Sequence, residues 1–161
     1  MVENLVDKGA DVNALDERGI TPLCFTSTCN RLPMLKVLLK LGADTNMPDA
    51  SGYASVGLAA EEGHVQVIHA LAEHGADVNM ANKDGETPIK FIAAKSGQAN
   101  VIRTLAQHGA DVNTLGKEGM SPVFVAAANG HTDVIRALAE HEKQISLILM
   151  SISLHTMAMQ M

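Results

Sequence analysis

The sequence predicts an all-α solenoid of stacked helix–turn–helix units with projecting turns, and three observations carry that expectation. Gly9-Ala10-Asp11-Val12-Asn13 recurs as Gly42-Ala43-Asp44-Thr45-Asn46 and again at 75–79 and 109–113, in steps of 33, 33 and 34 residues. Thr21-Pro22-Leu23 returns as Thr87-Pro88-Ile89 and Ser121-Pro122-Val123. Gly63-His64-Val65-Gln66-Val67-Ile68 returns as Gly130-His131-Thr132-Asp133-Val134-Ile135. Three phrases in fixed order at a near-constant period mark a repeat array, in which each unit cannot bury its apolar face alone and stacks on its neighbours.

Each element of the unit has a residue-level reason. Thr21 is a good N-cap, and Pro22 takes the first helical position, where a missing N–H costs nothing. A short first helix follows, and its small pairs, Ala59-Ala60, Ala93-Ala94 and Ala126-Ala127, allow close helix approach. Gly63, Gly97 and Gly130 are expected to end it as left-handed C-caps. A second helix carries the trios Val67-Ile68-Leu71, Val101-Ile102-Leu105 and Val134-Ile135-Leu138, whose spacing places each trio on one face. Gly42, Gly75 and Gly109 then stop the second helix. A polar stretch such as 13–20 reaches out as a turn before the next Thr-Pro. Each fully buried Val, Leu or Ile contributes about 1.5–3 kcal/mol.

The pattern resembles the ankyrin repeat, a unit of about 33 residues with a Thr-Pro-Leu-His-x-Ala signature. The resemblance covers residues 1 to about 141, with units at 10–42, 43–75, 76–109 and 110–142 after a fragment, 1–9, that matches only a second helix. It implies an ankyrin-repeat solenoid with projecting β-turn or hairpin loops, an array at 10–141 and an apolar tail at 142–161. The chain opens in mid-unit and lacks a Gly-Ala-Asp after His141, as expected of a piece of a longer array or an imperfect gene model.

Departures from the signature carry their own expectations. Its histidine is replaced by Cys24, Gly57, Lys90 and Phe124, so units are expected to couple more loosely or through other contacts. Unit two reads Ala54-Ser55-Val56-Gly57, without the capping threonine and proline, so its first helix is expected to be the weakest, and restoring Thr-Pro-Leu-His should stabilise it. The 34-residue step places an extra residue near Phe91-Ile92-Ala93-Ala94, where a helical bulge is expected.

Composition excludes several classes. Four aromatics and no tryptophan leave the core to Leu, Ile, Val, Ala and Met. A net charge of −6 without a Lys/Arg run argues against nucleic-acid binding and a polybasic membrane signal. Two cysteines make no disulfide scaffold, and the start lacks a secretory signal, so a cytoplasmic or nuclear protein with buried, reduced Cys24 and Cys29 is expected.

No catalytic constellation, cofactor motif or metal site emerges. His74, His108 and His141 should form a column, but neighbouring helices lie about 8–10 Å apart and zinc needs nitrogens about 2 Å from one centre. His64, His69 and His74 do not share a helix face, and His64 and His131 read as structural. Gly116-Lys117-Glu118-Gly119 follows no strand and lacks the Gly-Lys-Ser/Thr ending of a phosphate loop. Asp11, Asp44, Asp77 and Asp111 read as turn residues.

The resemblance therefore implies a non-catalytic, monomeric module that binds another protein through its turn tips and the outward side of its first helices. The matching positions are Glu17, Arg18 and Ile20; Ala50, Ser51 and Tyr53; Lys83, Asp84 and Glu86; Lys117, Glu118 and Met120. Thr28, Glu61, Glu62, Lys95 and Asn129 lie close by on the helices. Tyr53 has no duty in the repeat pattern and is expected as an exposed anchor. The competing reading is a non-catalytic segment of a larger enzyme, channel or membrane-anchored protein. The uncharged run Ile145–Met161, 17 residues diluted by serines, is expected to pack on the stack or stay disordered rather than span a membrane.

Overall fold

A computed structural model describes residues 9–95 and 98–143. It contains α1 (Pro22–Thr28), α2 (Leu32–Lys40), α3 (Ser55–Glu61), α4 (Val65–Glu73), α5 (Pro88–Lys95), α6 (Ala99–Gln107) and α7 (Pro122–Ala128). An eighth helix, α8, runs over 132–143, and no strand occurs among the described residues. The expected caps form at two starts: the Cys24 N–H donates to Thr21 Oγ1 at 3.0 Å, and the Phe124 N–H to Ser121 Oγ at 3.4 Å.

Each first helix reverses into its second through a tight turn. The Arg31, His64 and His131 amides each donate back to the carbonyls of Thr26, Ala59 and Ala126 at 2.9 Å, a wrap that needs a left-handed residue just before the donor. Gly63 and Gly130 supply it, and in unit one Asn30 does so at φ 53°. Gly97 lies outside the described residues. The second helices end the same way, with the Ala43, Ala76 and Ala110 amides reaching Leu38, Leu71 and Leu105.

The helices form two layers. First helices pack side by side in the order α1, α3, α5, α7, and α2, α4 and α6 line up behind them. The core lies between the layers. Leu23, Val56 and Ile89 come from the first helices; Leu35, Ile68 and Ile102 come from the second. The trios are fully buried in α4 and α6, and in α8 Val134 and Leu138 are buried while Ile135 is half-buried.

Four details differ from expectation. Helix α5 is regular over its described length, and Ile92-Ala93, not Ala93-Ala94, take the buried places that Ala59-Ala60 hold in α3. The helix keeps its register from Thr87, whose carbonyl accepts from the Phe91 N–H at 3.0 Å, and the expected bulge at 91–94 does not form. Helix α3 indeed lacks a side-chain cap at Ala54. Yet Gly57 is not an empty defect, because the Tyr53 ring lies where its side chain would be: a Cβ there would sit 3.0 Å from Cδ1. A histidine there would have to push that ring aside. Cys24 is buried as expected, but Cys29 is exposed, because it stands at the C-cap of α1 and points out of the stack.

Glu142 stands where Gly42, Gly75 and Gly109 stop the earlier helices, and α8 continues to 143. Among the described residues no helix is long and apolar enough to cross a membrane. The fragment at 1–8 and the run Ile145–Met161 lie outside the described residues.

Candidate interaction surface

The projecting turns share one construction. In units one to three the backbone closes on itself, with Asp16, Asp49 and Asn82 amides donating to the carbonyls of Ile20, Tyr53 and Glu86 at 2.9–3.0 Å. The side-chain Oδ1 of the same three residues accepts two amides further along the turn. Asp16 takes those of Arg18 and Ile20, Asp49 those of Ser51 and Tyr53, and Asn82 those of Asp84 and Glu86. Such local side-chain bonds explain why Asp and Asn hold these places. The Ile20 amide above all, with help from the Arg18 amide and guanidinium, holds the Asp16 carboxyl below the usual aspartate range.

Neighbouring turns are tied together. Asn13, Asn46 and Asn79 each accept, through Oδ1, the amide of the next unit's aspartate: Asp44, Asp77 and Asp111, all at 2.8 Å. Asn46 and Asn79 also donate through Nδ2 to the carbonyls of Gly75 and Gly109. A second ladder runs along the tips. Lys83 Nζ donates to the Ala50 carbonyl, and Lys117 Nζ to the Lys83 carbonyl at 3.0 Å. The lysine stems lie over Gly52 and Gly85, where any side chain would collide with them. These ladders are the alternative coupling that the missing histidines called for.

The residues expected to bind a partner divide by position. Glu17, Arg18, Ala50, Ser51, Lys83, Asp84, Lys117 and Glu118 are exposed on the tips. Among them Lys83 and Lys117 already bridge tips. Ile20, Tyr53, Glu86 and Met120 are half-buried at the turn bases. Tyr53 has a structural duty after all, packing on Gly57 and edge-on to Phe91 with ring centroids 5.7 Å apart. Glu86 turns inward to Lys90, with Oε1 3.4 Å from Nζ. On the helices Thr28, Glu62 and Asn129 are exposed and Glu61 is half-buried.

The fourth signature position faces the next unit. Cys24 Sγ lies 3.4 Å from Ser55 Oγ and 3.8 Å from the Met47 carbonyl. Lys90 is almost wholly buried, with its ammonium over Gly116. Beside it the Thr87 hydroxyl is buried without a hydrogen bond.

The histidines have separate partners. His64 Nε2 meets the Thr28 carbonyl at 3.0 Å, and His74 Nδ1 meets the Ala70 carbonyl at 2.8 Å. His108 Nε2 instead meets His69 Nδ1 at 2.7 Å, a pairing between α4 and the end of α6. Residues 39 apart give no sequence signal for it. Among the described residues no group of three His, Cys, Asp or Glu side chains could hold a metal ion. Exposed apolar side chains were also invisible to pattern reading. Leu15 and Phe25 wall a shallow pocket with Ile20 and Pro22 in unit one, and Leu115, Val123 and Phe124 stand exposed on unit four. Aligning the units by position would have found the asparagine ladder, since Asn13, Asn46 and Asn79 share one place in the repeat.

A family model for ankyrin repeats in three copies matches residues 1–82 and 59–148. No curated protein matches the chain at a significant level.

Proposed function

The chain belongs to the ankyrin-repeat family, whose repeats generally mediate protein–protein interaction and are typically non-catalytic; from that premise we propose that this protein is a binding module that engages another protein through its turn tips. The observation that carries this reading is the cross-bracing of the tips. Asparagine and lysine ladders tie each turn to the next while Glu17, Arg18, Asp84 and Glu118 remain exposed. A rigid row of varied side chains loses little entropy on docking, which favours affinity. The outward residues Thr28, Glu62 and Asn129 extend the same surface along the first helices. The reading includes no catalysis and no cofactor, a monomer, and residence in the cytoplasm or nucleus, where free Cys24 and Cys29 stay reduced.

The test compares two full-length variants as baits, with captured partners identified by mass spectrometry and the leading partner re-measured as a purified protein. One carries Glu17→Ala, Arg18→Ala, Asp84→Ala and Glu118→Ala; the other carries Lys36→Ala and Arg136→Ala on the second helices. Both should fold as wild type, because all six residues are exposed. The partner should be lost at least tenfold from the tip variant and kept by the helix variant. The reverse pattern would place the partner on the opposite layer.

A further inference from the structure

We propose that His69 and His108 form a two-imidazole site for a divalent transition-metal ion of the zinc, copper and nickel class, which braces unit two to unit three on the layer opposite the tips. Position 69 belongs to a basic column, since Lys36, Arg103 and Arg136 hold the equivalent place in the other units. Arg103 uses that place to reach the second helix of the next unit, with its Nε 3.2 Å from Glu140 Oε2. His69 also reaches the next unit, but there it meets another ring, with its Nδ1 2.7 Å from His108 Nε2. A guanidinium has no lone pair to offer a metal, whereas each neutral imidazole has one. The substitution of histidine at 69 therefore turns a charge contact between units into a pair of metal donors.

The geometry is close to what such an ion needs. The ring centroids lie 4.9 Å apart and the two nitrogens 2.7 Å apart, so the nitrogens point at each other. Zinc binds imidazole nitrogen at about 2.0–2.1 Å, which sets two nitrogens of a tetrahedral site about 3.3 Å apart. A small tilt of one ring supplies the difference. His108 is the C-cap of α6, beyond its last turn, so its ring can tilt without disturbing the helix. Both rings are half-buried, which leaves one side open to water. Among the described residues no third donor joins the pair, so water completes the coordination and the site is a brace of moderate affinity. In the hydrogen-bonded form one ring donates its N–H to the other. When the ion enters, that ring carries its proton on its outer nitrogen, so both inner nitrogens coordinate and no net proton is released. Imidazole suits zinc, copper and nickel, while magnesium and calcium prefer oxygen.

The experiment titrates the full chain with zinc chloride and follows heat, thermal unfolding and sedimentation velocity. His69→Arg and His108→Gln are the two variants. His69→Arg places at 69 the residue that units three and four carry there, so it should fold without building the site. The wild type should bind one zinc ion at least about tenfold more tightly than either variant. With zinc at about 100 times its Kd, Tm should rise by about 5–10 °C in the wild type and stay unmoved in the variants. Magnesium chloride should raise it in none of them. Long-range proton–nitrogen NMR spectra should show zinc shifting His69 Nδ1 and His108 Nε2. Equal zinc affinity in all three proteins, or shifts confined to other histidines, overturns the proposal. A dimer that forms with zinc and is lost in both variants also overturns it, by placing the ion between two copies of the chain.

Discussion

The ammonium of Lys90 occupies the space where residue 116 would carry a side chain: a Cβ on Gly116 would collide with Nζ and lie 2.6 Å from Cε. The equivalents of Gly116 are Asp16, Asp49 and Asn82, whose side chains close their turns. Unit four keeps the backbone closure, with the Gly116 N–H donating to the Met120 carbonyl at 3.2 Å, but lacks the side-chain one and houses there a lysine from the signature position of unit three. Lys90 reaches Glu86 at 3.4 Å, and its stem fills the interface between α5 and the next turn.

This pairing predicts strong coupling. Gly116→Val, which adds volume but no carboxylate to pair with the ammonium, should destabilise by about 1–3 kcal/mol through overpacking. Combining it with Lys90→Ala should recover part of that loss, since residues in contact are not additive. Urea unfolding of the four forms decides it; strict additivity would show that the two positions do not compete for space.

Unit two should respond in opposite ways to two halves of the signature. Ala54→Thr supplies the missing cap and should stabilise by about 0.5–2 kcal/mol. Gly57→His must displace the Tyr53 ring, and with it the edge-on contact to Phe91, so it should destabilise. Melting curves of the single and double variants check this. A stabilised Gly57→His variant would mean the ring moves aside freely.

The asparagine ladder should matter for stability although its members lie at the surface. Asn46→Ala and Asn79→Ala each leave an aspartate amide without its 2.8 Å acceptor, at a cost of about 0.5–1.5 kcal/mol. Hydrogen exchange at the Asp77 and Asp111 amides should quicken in the matching variant alone. Unchanged exchange would show that water replaces the side chain without loss.

The turn of unit one should loosen in acid. The Asp16 carboxyl is held low chiefly by the Ile20 amide, so its folded value lies below its unfolded one. A lowered carboxyl contributes fully above the ordinary aspartate value of about 3.9 and is lost as pH falls through the lowered one. The Ile20 amide resonance should therefore stay constant down to about pH 4 and move only below it, and Asp16→Asn should abolish the movement. A midpoint at or above the ordinary value would contradict the assignment.

The fold was legible because it rests on local rules applied repeatedly. Thr21-Pro22 and Ser121-Pro122 start helices by capping chemistry, Gly42, Gly75 and Gly109 stop them by backbone freedom, and the spacing of Val67, Ile68 and Leu71 defines a buried face. Each needs only near neighbours in the chain. The sequence by itself therefore determined the unit, its period and the exposed tips at Glu17, Arg18, Asp84 and Glu118. The tertiary structure decided what lies between units. Tyr53 against Phe91, Lys90 over Gly116, His69 against His108, and the register that puts Ile92 rather than Ala94 inside all depend on which surfaces stacking brings together. Those contacts join residues of different units, where side-chain volume and hydrogen-bond reach decide the partner, and a period in the sequence carries no information about either.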